Sequence, residues 1–208
     1  MKKLFTFFVL FCALAVVIGC HSGSGSGSES KSEPVEDSMN EKIQDMFFGT
    51  KFGASREEVI RNFAKHGFDV NKSLSTENWV YFFPVDTTTI YRKRKDYYSF
   101  GGHNWKLLSV SLNNDKFYLI RFANSFNDKA SALNEYQGLL STISKKYHVS
   151  EAEPIDTTVY KVHVGYDKQN RYVGVSCYRD ESIGGELYYY VELLYRDDSI
   201  AYEPSDEL

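Results

Sequence analysis

The sequence predicts an α+β fold: antiparallel sheet meanders with two helices packed on one face, preceded by a disordered tether. Two segments open with helix caps and carry apolar residues at helical spacing. Several others alternate with period two, and some are separated by turns too short for a parallel crossover. A group of strands between the helices and another after the second helix suggest layers rather than a parallel βαβ sheet.

The chain begins differently. Lys2 and Lys3 form a short positive region, and Leu4 to Ile18 is an almost unbroken apolar run. At about fifteen residues it matches a signal-peptide core and falls short of the roughly twenty needed to span a bilayer. It ends in Val17-Ile18-Gly19-Cys20, which resembles the lipobox of bacterial lipoproteins. The resemblance implies a cleavable signal peptide over 1–19 and acylation of Cys20, so that the partner of this end is a membrane, reached through acyl chains. Each buried methylene would then contribute about 0.8 kcal/mol. Residues 20–40 read as the lipidated cysteine and a flexible Ser/Gly/acidic tether, since Ser22 to Ser38 carries too little apolar surface to fold. In the random-coil regime, roughly 17 residues span on the order of 20–25 Å.

Residues 41–198 read as a single α+β domain and 199–208 as an acidic C-terminal tail. Phe47 to Gly53 is a short strand and turn. Ser55-Arg56-Glu57-Glu58 is a capping box, followed by the apolar stripe Val59, Ile60, Phe63 and Ala64, with Gly67 as the stop. Trp79 to Val85 is apolar or aromatic on both faces, which marks a covered strand, and Thr87 to Arg94 continues with strand formers. Lys106–Leu112 and Lys116–Phe122 flank Asn113-Asn114-Asp115, a hairpin signal that places Val110 and Leu112 against Tyr118 and Ile120. Asp128 caps the second helix, with Leu133, Tyr136, Leu139, Leu140, Ile143 and Tyr147 at helical spacing. Val159–Tyr166, Arg171–Tyr178 and Leu187–Tyr195 are the last strands. Tyr160, Val162, Val164 and Tyr166 share one face of the first of them, with Lys161 and His163 on the other.

Several of these motifs, taken together, resemble a group of Bacteroidota exported proteins: Phe-Phe-Gly-Thr-Lys-Phe-Gly-Ala-Ser-Arg-Glu-Glu-Val, Ser-Phe-Gly-Gly-His-Asn-Trp, and a long helix ending in Lys-Lys-Tyr. The likeness would cover about residues 45–200. It implies source and architecture and brings no activity with it.

Composition narrows function further. Loss of residues 1–19 removes Lys2 and Lys3 but no acid, so the net charge of −4 becomes about −6, which disfavours nucleic acid as a partner. Of the three cysteines, Cys12 leaves with the signal peptide and Cys20 is taken by lipid. Cys177, in register with Val173 and Val175, reads as a buried, inert thiol. His21, His66, His103, His148 and His163 fall in different elements without metal-ligand spacing, so neither a metal nor a cofactor is expected. No nucleophile elbow, phosphate loop or dinucleotide fingerprint is present, and Glu57-Glu58, Asp180-Glu181 and Asp197-Asp198 are sequence neighbours, which rarely face one another, so a glycosidase pair is not indicated. The basic run Arg92 to Lys95 reads as a protected strand edge or as a contact for an anionic partner. Trp79, Trp105, Tyr188 and Tyr190 would make a sugar-stacking platform if exposed, and otherwise belong to the core.

Four triplets, Asp37-Ser38-Met39, Asp86-Thr87-Thr88, Asp156-Thr157-Thr158 and Asp198-Ser199-Ile200, resemble the O-glycosylation acceptor of Bacteroidota. The resemblance marks Ser38, Thr87, Thr157 and Ser199 as candidate glycan sites; Asp-led turns account for the same pattern. The expectation is a non-enzymatic envelope lipoprotein, anchored to the outer membrane on its periplasmic face or at the cell surface, that binds a protein or envelope component. A glycan-binding module of a nutrient-capture system, or an enzyme with an unrecognised site, are the alternatives. Trp79 and Trp105 exposed on one concave face would favour the glycan reading; a deep pocket joining a histidine to a carboxylate, such as His103 or His163 with an acid from another strand, would favour the enzyme.

Overall fold

A computed structural model describes residues 39–88, 93–154, 156–181 and 185–202. Aromatic residues and punctuating glycines start the fold: β1 (Met46–Phe47) and β2 (Thr50–Lys51) form a small hairpin. The Ser55 hydroxyl accepts from the Glu58 amide at the start of helix α1 (Arg56–Lys65), which ends just before Gly67 at φ +85°. Then come β3 (Phe68–Val70), β4 (Trp79–Pro84), β5 (Tyr98–Phe100), β6 (His103–Trp105), β7 (Leu107–Asn113) and β8 (Lys116–Phe126). Asp128 accepts from Ser131 to open helix α2 (Lys129–Ile143). After it lie β9 (Ser150–Glu151), β10 (Val159–Tyr166), β11 (Arg171–Glu181), β12 (Leu187–Asp197) and a single helical turn, α3 (Asp198–Ala201).

Eight strands join in one antiparallel sheet in the order β3-β4-β7-β8-β12-β11-β10-β9. The α+β expectation is therefore overturned: the protein is mostly β, with described helices of only 10, 15 and 4 residues. The physical reason lies in the strands. β8, β11 and β12 each run 11 residues, and β12 pairs with β8, fusing what read as two separate meanders into one continuous ladder. Two capped helices dominate a periodicity analysis, but hydrogen bonding between strands about seventy residues apart leaves no local trace.

Register defines two faces. Across the helix side run Val80, Val110, Ile120, Tyr195 and Val173, each the cross-strand partner of the next. Val59 and Phe63 of α1 and Ala132, Tyr136, Leu139 and Ile143 of α2 join this core. Phe122 is its centre, stacked on Phe100 at 4.2 Å and touching Phe47, Phe48, Tyr98 and Trp105. Cys177 sits on this side with Val173 and Val175, free and fully buried as expected, and burial pushes its thiol up to about 11.

Turn chemistry follows the sequence closely. Asn114 and Asp115, both at positive φ, close the β7–β8 hairpin, and Gly101 and Gly102 do the same for β5–β6. Register departs from expectation at two bulges. Val110 meets Ile120, but a shift at Ser111/Leu112 pairs Leu112 with Phe117 and leaves Tyr118 on the far face beside Leu119. A second shift, at Val159/Lys161, turns Tyr160 to the helix side, where it stacks on Tyr189 and underlies the Lys129 ammonium. Of the expected strand Thr87 to Arg94, residues 89–92 lie outside the described region; Val85 and Arg94 form an isolated bridge.

Candidate binding site

The far face of the sheet carries the chain's other concentration of chemistry. Its rows can be read from the register. Trp79, Ser111, Leu119, Arg196, Tyr172 and Tyr166 form one row, and Tyr81, Ser109, Arg121, Leu194, Gly174 and Val164 the next. Leu107, Ala123, Glu192, Ser176 and Val162 follow, and then Ser125, Tyr190 and Tyr178. Leu119, Tyr172 and Leu194 make a small second core at one end of this surface. Toward the other end Trp79, Tyr81, Phe83, Tyr178, Tyr188 and Tyr190 are half-buried.

At the middle of the face a charged pair is held among tyrosines. Arg121 Nε donates to Glu192 Oε2 at 2.5 Å, and its Nη2 donates to the Tyr178 hydroxyl. That hydroxyl in turn donates to the same carboxylate oxygen at 3.1 Å. Burial alone would loosen the guanidinium's proton, but the charge of Glu192 outweighs it, and the net shift is upward. The phenols of Tyr178, Tyr81 and Tyr190 are all raised, chiefly by burial, and stay neutral hydrogen-bonding groups. Arg196, 4 % exposed, makes a second fixed cation, paired with Asp198 and stacked 4.8 Å from the Tyr172 ring centre. Arg94 lies 5.3 Å over Phe83, so the expected basic edge reaches this face through one described residue, while Arg92 lies outside the described region.

Of the four aromatics that would stack sugars if exposed, Trp79, Tyr188 and Tyr190 are half-buried on this face. Trp105 is not with them: it is fully buried, its indole donating to the Phe100 carbonyl at 3.0 Å. The residues missed were Arg121 and Glu192. Their only signal is a charge inside an apolar strand, Ile120-Arg121-Phe122 and Val191-Glu192-Leu193, and nothing local joins the two.

A cleft of about 350 Å³ opens on the helix side, lined by Tyr97, His103, Lys106, Phe126 and Glu135 among others. Here His103 Nδ1 lies 3.3 Å from Glu135 Oε1, and Nε2 lies 3.1 Å from the Thr142 hydroxyl. The arrangement joins a histidine to a carboxylate, but Thr142 lies outside the cleft lining and donates to the Gly138 carbonyl at 3.1 Å. Chemically it is a clasp that ties the β5–β6 hairpin to α2. His163 meets the Tyr136 hydroxyl at 2.5 Å, and burial lowers the histidine's pKa. Among the described residues no cluster of His, Cys, Asp and Glu could hold a metal ion, and no helix is long and apolar enough to cross a membrane.

Cys20 and Ser38 lie outside the described residues. Thr87, Thr157 and Ser199 are exposed: Thr87 and Thr157 lie in Asp-led turns, where Asp86 accepts from the amide and hydroxyl of Thr88 and Asp156 from those of Thr158, and Ser199 lies in α3, whose cap Asp197 accepts from its amide and hydroxyl. Turn chemistry thus explains Asp86 and Asp156, whereas Asp198 is the partner of Arg196, and Thr87 and Thr157 stay exposed. No protein-family model, curated protein or solved structure matches this chain.

Proposed function

We propose that this chain is a lipid-anchored protein of the bacterial envelope that binds an envelope partner, a protein in the first instance, through the far face of its sheet, without catalysis. One observation carries the reading: a face away from α1 and α2 presents half-buried Trp and Tyr rings around a fixed Arg121–Glu192–Tyr178 network. Large rigid rings with polar edges bring much contact area at small entropic cost, and a prearranged charge pair orients a partner. The Cys20 anchor and tether would hold that face free of lipid headgroups. Glycan binding is the second reading: Trp79, Tyr188 and Tyr190 share one face, although Trp105, whose exposure beside Trp79 would favour it, is buried.

The test joins both parts. Replacing Cys20 with Ser is expected to abolish metabolic labelling by palmitate and release the protein from membranes; labelling that persists would sink the anchor. Tyr81→Ala combined with Tyr190→Ala is expected to lose the partners cross-linked by the wild type in intact envelopes, with little change in melting temperature. Retention of the same partners by the folded variant refutes the face. Glycan-array binding without a protein cross-link selects the second reading.

A further inference from the structure

The domain of this acidic chain begins with a positive surface. Lys42 and Lys51 both reach Asp45, at 3.7 and 3.8 Å, with their side chains 65 % and 64 % exposed. They are held loosely there, because the largely buried Arg171 guanidinium already meets the same carboxylate at 3.2 Å. Lys146 comes to this place from beyond the end of α2, donating to Gln44 Oε1 at 3.2 Å, with Lys145 next to it in the chain. Lys168 follows Asp167, whose carboxylate accepts from the Ile43 amide at 2.8 Å. Lys145, Lys146 and Lys168 are exposed, and none has a carboxylate partner among the described residues.

The acids of this end are turned inward. Asp45, Asp167 and Asp197 are buried around Arg171, at 3.2, 3.9 and 3.9 Å from it, and Glu41 is exposed. Six cations thus face four carboxylates, three of which are buried, on a protein whose net charge is negative. The field at a helix C-terminus accounts for lysines just after α2, but not for Lys42, Lys51 and Lys168, which come from other segments. Two large apolar side chains stand in the same stretch: Met39, 43 % exposed, and Met46, 53 % exposed and paired across its hairpin with Lys51. Methionine adapts to an irregular apolar boundary, and lysine stems lie along one while their ammonium groups stay in water. Ammonium groups around exposed thioethers match an anionic bilayer, which offers phosphates above an acyl boundary. The negative charge of the remaining surface is repelled by such a bilayer, so this end is the one it favours.

We propose that this end of the domain docks on anionic lipid headgroups through Lys42, Lys51, Lys145, Lys146 and Lys168, with Met39 and Met46 entering the headgroup layer. The choice of a bilayer as partner rests on the lipid anchor proposed above: Lys42 lies a few residues past the tether, which keeps this surface at a high local concentration of lipid. At low salt the Cys20→Ser chain is expected to bind vesicles of equal parts phosphatidylglycerol and phosphatidylcholine, and not phosphatidylcholine alone. Replacing Lys145, Lys146 and Lys168 together by Gln should weaken that binding on the order of a hundredfold, about fivefold for each lysine. These side chains are exposed, so the variant should keep the wild-type melting temperature. In the lipidated wild type, amine acetylation of Lys42 and Lys146 should fall about fivefold on the phosphatidylglycerol vesicles relative to phosphatidylcholine alone, with the exposed Lys72 of the β3–β4 segment unchanged. Vesicle binding by a chain that takes up no palmitate would discard the anchor and support the docking surface. Palmitate uptake with equal acetylation on both vesicles would keep the anchor and overturn the docking surface. Equal affinity of the triple variant, shielding of the lysines that is the same without vesicles, or an acidic protein cross-linked to Lys146 without any effect of lipid also overturns it.

Discussion

Replacing Glu192 with Ala is expected to destabilise the protein by about 3–5 kcal/mol, because it takes the counter-charge from a largely buried guanidinium rather than merely deleting a contact. Glu192 is 6 % exposed and is bonded to both Arg121 Nε and the Tyr178 hydroxyl. Without it Arg121 stays charged, since no guanidinium deprotonates at ordinary pH, and keeps only the neutral Tyr178 among these partners. The double replacement Arg121→Met with Glu192→Leu is expected to recover most of the loss, as apolar substitutes for buried pairs often do. Chemical denaturation of the three proteins checks this. A single-variant loss under 1 kcal/mol would mean that water reaches the pair, and the network could not then be a fixed feature of the face. If the double variant is stable yet no longer binds the cross-linked partner, the pair serves recognition rather than stability.

Gly165→Ala is expected to cost about 3 kcal/mol, at the upper end of overpacking effects. A β-carbon there would run into the backbone carbonyl of His148 and approach Asn40 Nδ2 at 3.0 Å and Val149 Cγ1 at 3.1 Å. None of these can retreat easily. Asn40 Nδ2 donates to His148 O at 2.9 Å and to Tyr166 O at 3.1 Å, while the His148 amide donates to Asn40 Oδ1 at 2.6 Å. The same substitution at Gly138, exposed within α2 with nothing within 4 Å of its β-carbon, should stabilise by about 0.5–1 kcal/mol. Melting curves of the pair should therefore shift in opposite directions. A mild effect at Gly165 would show that the Asn40 stitch yields, so that the start of the domain is loosely held.

What could be read in advance followed the reach of each signal. Ser55, Asp128, Gly67 and the Asn114-Asp115 turn act within a few residues, and each stands where its chemistry placed it. Cys177 was legible because strict alternation assigns a face without knowledge of the partner strand. Tyr118 and Tyr160 were misassigned because a bulge inserts one residue into the alternation, and the bulge is set by the neighbouring strand. Trp105 could not be separated from Trp79 by composition. One lies in a three-residue strand folded into the core, the other on the far face of a long sheet. Arg121 and Glu192 are opposite charges 71 positions apart, invisible as a pair until β12 lies against β8.

By itself the sequence determined the caps, the turns, the alternation of most strands and the expectation of a lipidated Cys20, since each depends on covalent order over short range. Only the tertiary structure decided that the two strand groups form one antiparallel sheet, that helices are a minor part of the fold, and that Arg121, Glu192 and Tyr178 meet. Those outcomes depend on which distant backbones satisfy each other's hydrogen bonds and which faces are buried together. That choice is made by the whole chain at once, because an unpaired strand edge or a stranded charge anywhere in it would cost more than any local preference returns.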